Sequence, residues 1–213
     1  MPRGQFITFE GIDGCGKSTH IRMLGEALAA SGTVPLVTRE PGGTFVGERV
    51  RGLLLTAEGT GLIPVAELLL YAADRAQHVA TIVRPALDSG RSVLCDRYID
   101  STVAFQGYGR GVEVSTITDL NRIATGGLLP DLTLLLDVDP LIARRRLDKR
   151  RTITEPDARD RFDEEAGEFH SRVREGYLKM AAAEPRRFTI VDSSGPVEVT
   201  QARILSIVMS RLC

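Results

Sequence analysis

The chain has 213 residues, 43% of them hydrophobic and 26% charged, with a formal net charge of -1. That length supports one sizeable core and is short for two, and the balanced charge excludes the broad basic field that holds DNA or RNA by counterion release. A membrane partner is not expected either, because no apolar run reaches the roughly 18 residues of a span.

The N-terminus passes straight into a strand-like run with no signal-peptide core. Cys15, Cys95 and Cys213 lack the spacing of a disulfide framework or a metal site, so a soluble protein of the reducing cytoplasm is expected. The first run, "QFITFEG" (Gln5 to Gly11), is apolar and β-branched enough to be a buried strand. "GIDGCGKS" follows it directly and satisfies GxxxxGK[ST] through Gly11, Gly16, Lys17 and Ser18. A helix-period stripe, Ile21, Leu24 and Leu28, comes next, with Gly32 as its stop.

The strand-loop-helix setting separates a phosphate loop from a chance glycine-rich turn. Glycines let successive backbone N–H groups converge on the β- and γ-phosphates, and the helix adds its positive N-terminal end. Lys17 is expected to bridge the same phosphates, and Ser18 to ligate Mg²⁺. Lysine occurs only at Lys17, Lys149 and Lys179 in this arginine-rich chain, which suggests that position 17 needs a compact ammonium. Cys15 lies near a helix N-terminus, where thiol pKa values tend to fall, but a small residue fitting a tight turn is the simpler reading. Asp13 is out of place: a carboxylate among phosphates is repelled unless it faces a metal ion, a hydroxyl or an arginine.

Four more runs read as strands: Val34 to Glu40, Ser92 to Arg97, Leu132 to Val138 and Arg187 to Ser194. Strands alternating with helices imply a parallel sheet with right-handed crossovers, whose ligands gather at the carboxyl ends of the strands. Each run ends in polar residues: Glu10; Arg39 and Glu40; Asp96 and Arg97; Asp137; Asp192 and Ser193. The run "RRRLDKRR" (Arg144 to Arg151) and the acidic residues after it read, on charge alone, as a solvated helix face.

A phosphate loop alone does not separate a kinase from an ATPase or a GTP switch, and no NKxD-type guanine signature is found. The order and spacing of "FEGIDGCGKST", "TREPGGT", "LLLYAADRAQH", "CDRYIDSTVAFQGYGRG" and "PDLTLLLDVDP" are more specific. Over essentially the whole chain they resemble the bacterial thymidylate kinases, P-loop nucleoside monophosphate kinases. The resemblance implies one domain over residues 1–213, with a three-layer α/β fold, a five-stranded parallel sheet flanked by helices, and a small lid at about 144–160. It also implies Mg²⁺-dependent phosphoryl transfer from ATP to dTMP, giving ADP and dTDP for dTTP synthesis, and a homodimer.

By the same resemblance Gly11, Ile12, Asp13, Gly14, Cys15, Gly16, Lys17, Ser18 and Thr19 hold ATP. Tyr71 stacks on thymine and Arg75, one turn on, donates to its carbonyl. Asp74 is either an orienting partner or exposed. Thr102 and Gln106 meet the base edge and Phe105 the deoxyribose, although capping and core packing are the alternatives. Asp13 meets the acceptor sugar, Arg39 and Arg97 clamp the acceptor phosphate, and Asp96 holds the metal directly or through water. Glu40 and Arg51 lie in matching segments with less defined roles. No arginine stands in "DGCG", so the positive charge for the transferring group is expected from the lid. Arg150 is the best candidate, with Arg146 and Arg151 as the alternatives. "VDSSGP" (Val191 to Pro196) is either an adenine contact or a plain turn. The alternatives to dTMP are another nucleoside monophosphate or an ATPase with no acceptor.

Overall fold

The computed structural model describes residues 3–56, 59, 61–153 and 167–212. Strands β1 (Phe6–Glu10), β2 (Leu36–Arg39), β3 (Val93–Asp96), β4 (Leu132–Asp137) and β5 (Phe188–Asp192) form one parallel sheet in the order β2-β3-β1-β4-β5. All five expected strands are present; four are shortened at both ends, and β4 starts at Leu132 as expected and loses only Val138. One expectation needs correction. β2 is not a buried strand but alternates half-buried and exposed residues, as the outermost strand on that side of the sheet.

The chain winds from β1 to β2 and β3 on one side, then reverses to β4 and β5, which puts a crevice at the carboxyl end of β1. Helix α1 (Lys17–Ala30) starts in that crevice. It ends as the sequence predicts, with Gly32 at φ 88° and the Thr33 N–H returning to the Leu28 carbonyl at 2.9 Å. Thr44 caps α2 (Phe45–Leu55) by accepting from the Gly47 N–H, and α3 (Pro64–His78) continues through a π-helical turn into α4 (Arg84–Asp88). Short α5 (Ile99–Thr102) runs into a π-helical stretch, Val103–Gly109, that carries Phe105 and Gln106. Such widened turns often mark functional sites. Helices α6 (Val114–Thr125), α7 (Pro140–Ile153), α8 (Gly167–Ala183) and α9 (Val197–Leu212) complete the described elements. None of the described helices is long and apolar enough to cross a membrane.

The two-residue period of β1 sends Ile7 and Phe9 into one core cluster with Leu24, Leu28, Ile204 and Val208, and Phe6 into another with Val79, Val83 and Tyr98. Thr8 and Glu10 share the Phe6 face by the same period, and both are fully buried. Thr8 meets Thr133 at 3.0 Å, and Thr133 also contacts Arg187 and Asp100. Arg187 donates to both Asp100 oxygens, at 2.6 and 2.8 Å, with the Asp100 side chain 4% exposed. Removing one member of a buried pair leaves the other uncompensated. Asp100→Ala should therefore cost about 3 kcal/mol of unfolding free energy in urea titration; a loss within experimental scatter would mean Glu184 alone satisfies Arg187.

Candidate active site

Gly11, Gly14 and Gly16 all have positive φ (135°, 81° and 99°), the conformations that fold the loop back over the start of α1. Gly16 caps α1 without a side-chain acceptor, so the first N–H groups of the helix face the cleft. Lys17 is 7% exposed and donates to the Gly11 and Ile12 carbonyls at 3.0 and 3.1 Å. Ser18 donates to Asp96 Oδ2 at 3.0 Å, which puts two hard oxygen ligands side by side at the head of α1. Residues 13–19 line a cleft of about 840 Å³. Gly11 and Ile12 do not: the Ile12 side chain enters the core, and the two residues contribute carbonyls. Cys15 is fully buried, and burial pushes its thiol pKa up. This favours the small-residue reading over an activated thiol.

Asp13 has its partner in Arg97, whose Nη2 donates to Oδ1 at 2.6 Å. Burial opposes charge on Asp13, but Arg97 and Lys17 outweigh it and hold the carboxyl pKa at about 2. Arg97 itself occupies the left-handed region at φ 69°, the one non-glycine among the described residues to do so. Its backbone N–H is anchored by the Phe9 carbonyl at 3.0 Å. Its Nη1 donates to the Gly11 carbonyl (3.1 Å), Ser101 Oγ (3.0 Å) and Tyr177 Oη (3.3 Å), and the guanidinium lies 4.7 Å from the Phe105 ring centroid.

Across the cleft, Tyr71, Arg75, Thr102, Phe105 and Gln106 come together, as do Arg39 and Arg51. Arg75 is 1% exposed and spends three donors on Glu40 (2.8 Å), Asn121 (2.7 Å) and the Tyr98 carbonyl (3.0 Å). A guanidinium has five N–H groups, and these contacts use three of them. Glu40 also meets His78 Nδ1 at 2.8 Å, and His78 Nε2 reaches Thr38 at 2.7 Å. Asp74 is neither exposed nor a salt-bridge orienter: fully buried, it accepts from the Gly42 N–H at 3.0 Å and so anchors the "EPGG" loop. Burial, and then Glu40, raise its pKa to about 7. Thr102 Oγ1 is buried without a partner, while Gln106 donates one amide hydrogen to Glu67 at 2.8 Å. Arg39 is held by Glu48 through two 3.0 Å contacts.

Arg146 donates to the Ser193 and Ser194 carbonyls at 2.8 and 3.1 Å, tying α7 to the turn after β5. Arg146 also lines the cleft that holds the phosphate loop. Arg150 and Arg151 fall in the last turn of α7, where side chains lie outside the described residues, as does the lid from residue 154 onward. Ser193, Gly195 and Val197 line the same cleft as the phosphate loop.

A sequence model described as thymidylate kinase matches residues 9–204. The chain belongs to the thymidylate kinase family. It is 48% identical over 209 residues to a thymidylate kinase of Geotalea uraniireducens, covering 98% of each chain. To that of Desulfovibrio desulfuricans it is 53% identical over 194 residues, 91% of this chain and 89% of the other. A crystal structure of thymidylate kinase from Ehrlichia chaffeensis superposes with a TM-score of 0.79 at 34% identity, covering 97% of this chain and all of that one.

For a thymidylate kinase site, no local motif marks Ser101 and Tyr177 behind Arg97, or Glu48 and Glu67 behind Arg39 and Gln106, and Glu10 stands out in the sequence only as a polar strand ending. The available signal was a carboxylate inside an apolar strand, at Glu10. The tightest constraint on the loop is Gly14, where a methyl group would run into the Ala143 carbonyl of α7. Gly14→Ala should weaken ATP binding at least tenfold, about 1.4 kcal/mol, by titration calorimetry; unchanged affinity would mean α7 yields freely.

Proposed function

We infer that this thymidylate kinase transfers the γ-phosphoryl group of ATP to the 5′-phosphate of dTMP, releasing ADP and dTDP. The observation that carries the reading is the joint lining of one cleft by a phosphate loop and by Tyr71, Arg75, Thr102 and Gln106, together with the Arg97–Asp13 pair. Phosphoryl transfer asks the protein for positioning and charge stabilisation more than for covalent chemistry.

On the donor side, the amides of residues 13–19 and Lys17 would take the ATP phosphates, with Lys17 exchanging its two carbonyls for phosphate oxygens. Ser18 and Asp96 would hold Mg²⁺. A pair of adjacent oxygens suits an ion that keeps waters and substrate phosphates as its remaining ligands, and no cluster of three or more His, Cys, Asp or Glu that could hold a metal occurs among the described residues. Bound there, the ion would neutralise charge on the β- and γ-oxygens. On the acceptor side, Tyr71 offers an aromatic face to thymine, and the two remaining Arg75 donors suit a base carbonyl. Cytosine carries an amino group at that edge, which would set donor against donor. Thr102 and the second Gln106 amide hydrogen would complete the base edge, with Phe105 under the sugar. Arg39, leaving Glu48, and Arg97 would grip the acceptor phosphate, and Asp13 would receive the sugar hydroxyl. Arg150 would close over the transferring group.

We read residues 1–213 as one domain with its lid at about 144–160, acting in the cytoplasm. The outer faces of α2 and α3 present Phe45 (80% exposed), Val46, Leu53, Val65 and Leu69, which supports a homodimer through these helices.

A coupled ADP-release assay with no acceptor, dTMP, dUMP, UMP, CMP or AMP tests the reading. dTMP should be the preferred acceptor; ADP release without any acceptor would contradict a kinase, and preference for a ribonucleotide would contradict a thymidylate kinase. In the same assay, Arg150→Ala should lower kcat by about two orders of magnitude or more. A loss below about threefold would pass the role to Arg146 or Arg151.

A further inference from the structure

Glu10 closes β1 with its side chain fully buried, yet nothing in the transfer reaction as derived above uses it. Its Oε1 accepts from the Tyr98 N–H at 2.7 Å. Its Oε2 lies 2.6 Å from Ser101 Oγ and 2.8 Å from Tyr177 Oη, and those two hydroxyls are 2.8 Å from each other. Three oxygens thus form a triangle with three hydrogen-bond-length edges. The hydroxyls bring two hydrogens, so with an ionised carboxylate one edge would hold only facing lone pairs. A proton on Oε2 completes the count: each oxygen then donates once and accepts once around the ring. Both hydroxyls keep a lone pair for Arg97 Nη1, at 3.0 and 3.3 Å.

We propose that Glu10 is a positioning residue that works as a neutral carboxylic acid, closing with Ser101 and Tyr177 a hydrogen-bonded ring that aims the Arg97 guanidinium into the cleft. The proposal rests on the reading of Arg97 as a substrate-phosphate clamp.

The surroundings agree with a neutral Glu10. Burial, and then the neighbouring Asp100 carboxylate, push its pKa up to about 7, against the hydrogen bond from Ser101 and the charge of Arg97. Asp100 on α5 is committed to Arg187, and Cys95 on β3 and Tyr177 on α8 are buried groups whose pKa values are raised well above the ordinary range. Loss of the Glu10 proton would break one edge of the ring. It would also set a second carboxylate beside Arg97, in competition with Asp13 and the substrate phosphate. The protonated, working form dominates below about pH 7 and gives way above it.

The test is kcat/KM for dTMP from pH 6 to 9 with the full chain, ATP and Mg²⁺, for the wild type and Glu10→Gln. Glutamine keeps the acceptor for the Tyr98 N–H and cannot ionise. The wild type should decline above about pH 7, by up to tenfold per pH unit. Glu10→Gln should stay within about threefold of the wild type at pH 6 and show no decline up to pH 9. The second ionisation of a phosphomonoester lies near pH 6, so substrate titration produces no alkaline fall. A flat wild-type profile, or the same decline in Glu10→Gln, overturns the proposal. Should Glu10→Gln not fold, ¹³C NMR of the wild type labelled at glutamate Cδ decides. One glutamate carboxyl should hold its proton at pH 6 while the others are ionised, and none doing so overturns the proposal. If the wild type forms no dTMP-dependent ADP, the thymidylate reading fails, while the NMR titration still reports on the ring.

Discussion

Everything in the cleft is arranged around one ion pair, Arg97 with Asp13, 2.6 Å apart across the carboxyl ends of β3 and β1. Asp13 belongs to the loop that would hold the phosphoryl donor; Arg97 belongs to the strand end that would hold the acceptor. The Arg97 side chain is half-buried, and four groups on three elements take up its donors: Asp13 and the Gly11 carbonyl from the loop, Ser101 from α5 and Tyr177 from α8. The left-handed backbone of Arg97 is a cost that the packing sustains.

The acceptor pocket follows the same economy at a distance. Glu40 takes Arg75 and His78 together, and Asp74 pins the backbone of the following loop. Arg75 is therefore presented as a rigid fork with part of its donor set already spent. Rigid presentation suits a base whose edge must be read by hydrogen bonds, because a mismatched edge leaves buried polar groups unpaired. Arg39 is the contrast: exposed, and held by a carboxylate that a phosphate can displace.

Local patterns in the sequence carried the phosphate loop, the five strands and the polar rim, because strand period, glycine spacing and helix onset are all written within a few residues of one another. Tertiary partnerships were not legible. Asp13 needed a metal ion, a hydroxyl or an arginine, and which one depended on Arg97, 84 residues away. Asp74 stood beside Arg75 on a helix and looked equally suited to water; only the approach of Gly42 decided its role. Arg146 sat in a basic run indistinguishable from its neighbours until the turn after β5 came up beneath it. β2 had the composition of a buried strand, and its place at the edge of the sheet is a fact of topology rather than of composition. Glu10 was visible only as a polar strand ending, since its meaning lies in two hydroxyls from two other elements.

If Asp13 and Arg97 act as one unit on the acceptor, the effects of replacing them are not additive. A double-mutant cycle on dTMP affinity, by titration calorimetry of the wild type, Asp13→Asn, Arg97→Gln and the double variant, measures this directly. A coupling of about 1 kcal/mol or more between the two substitutions is expected. Additive losses within about 0.3 kcal/mol would mean the two residues act independently and would contradict this expectation.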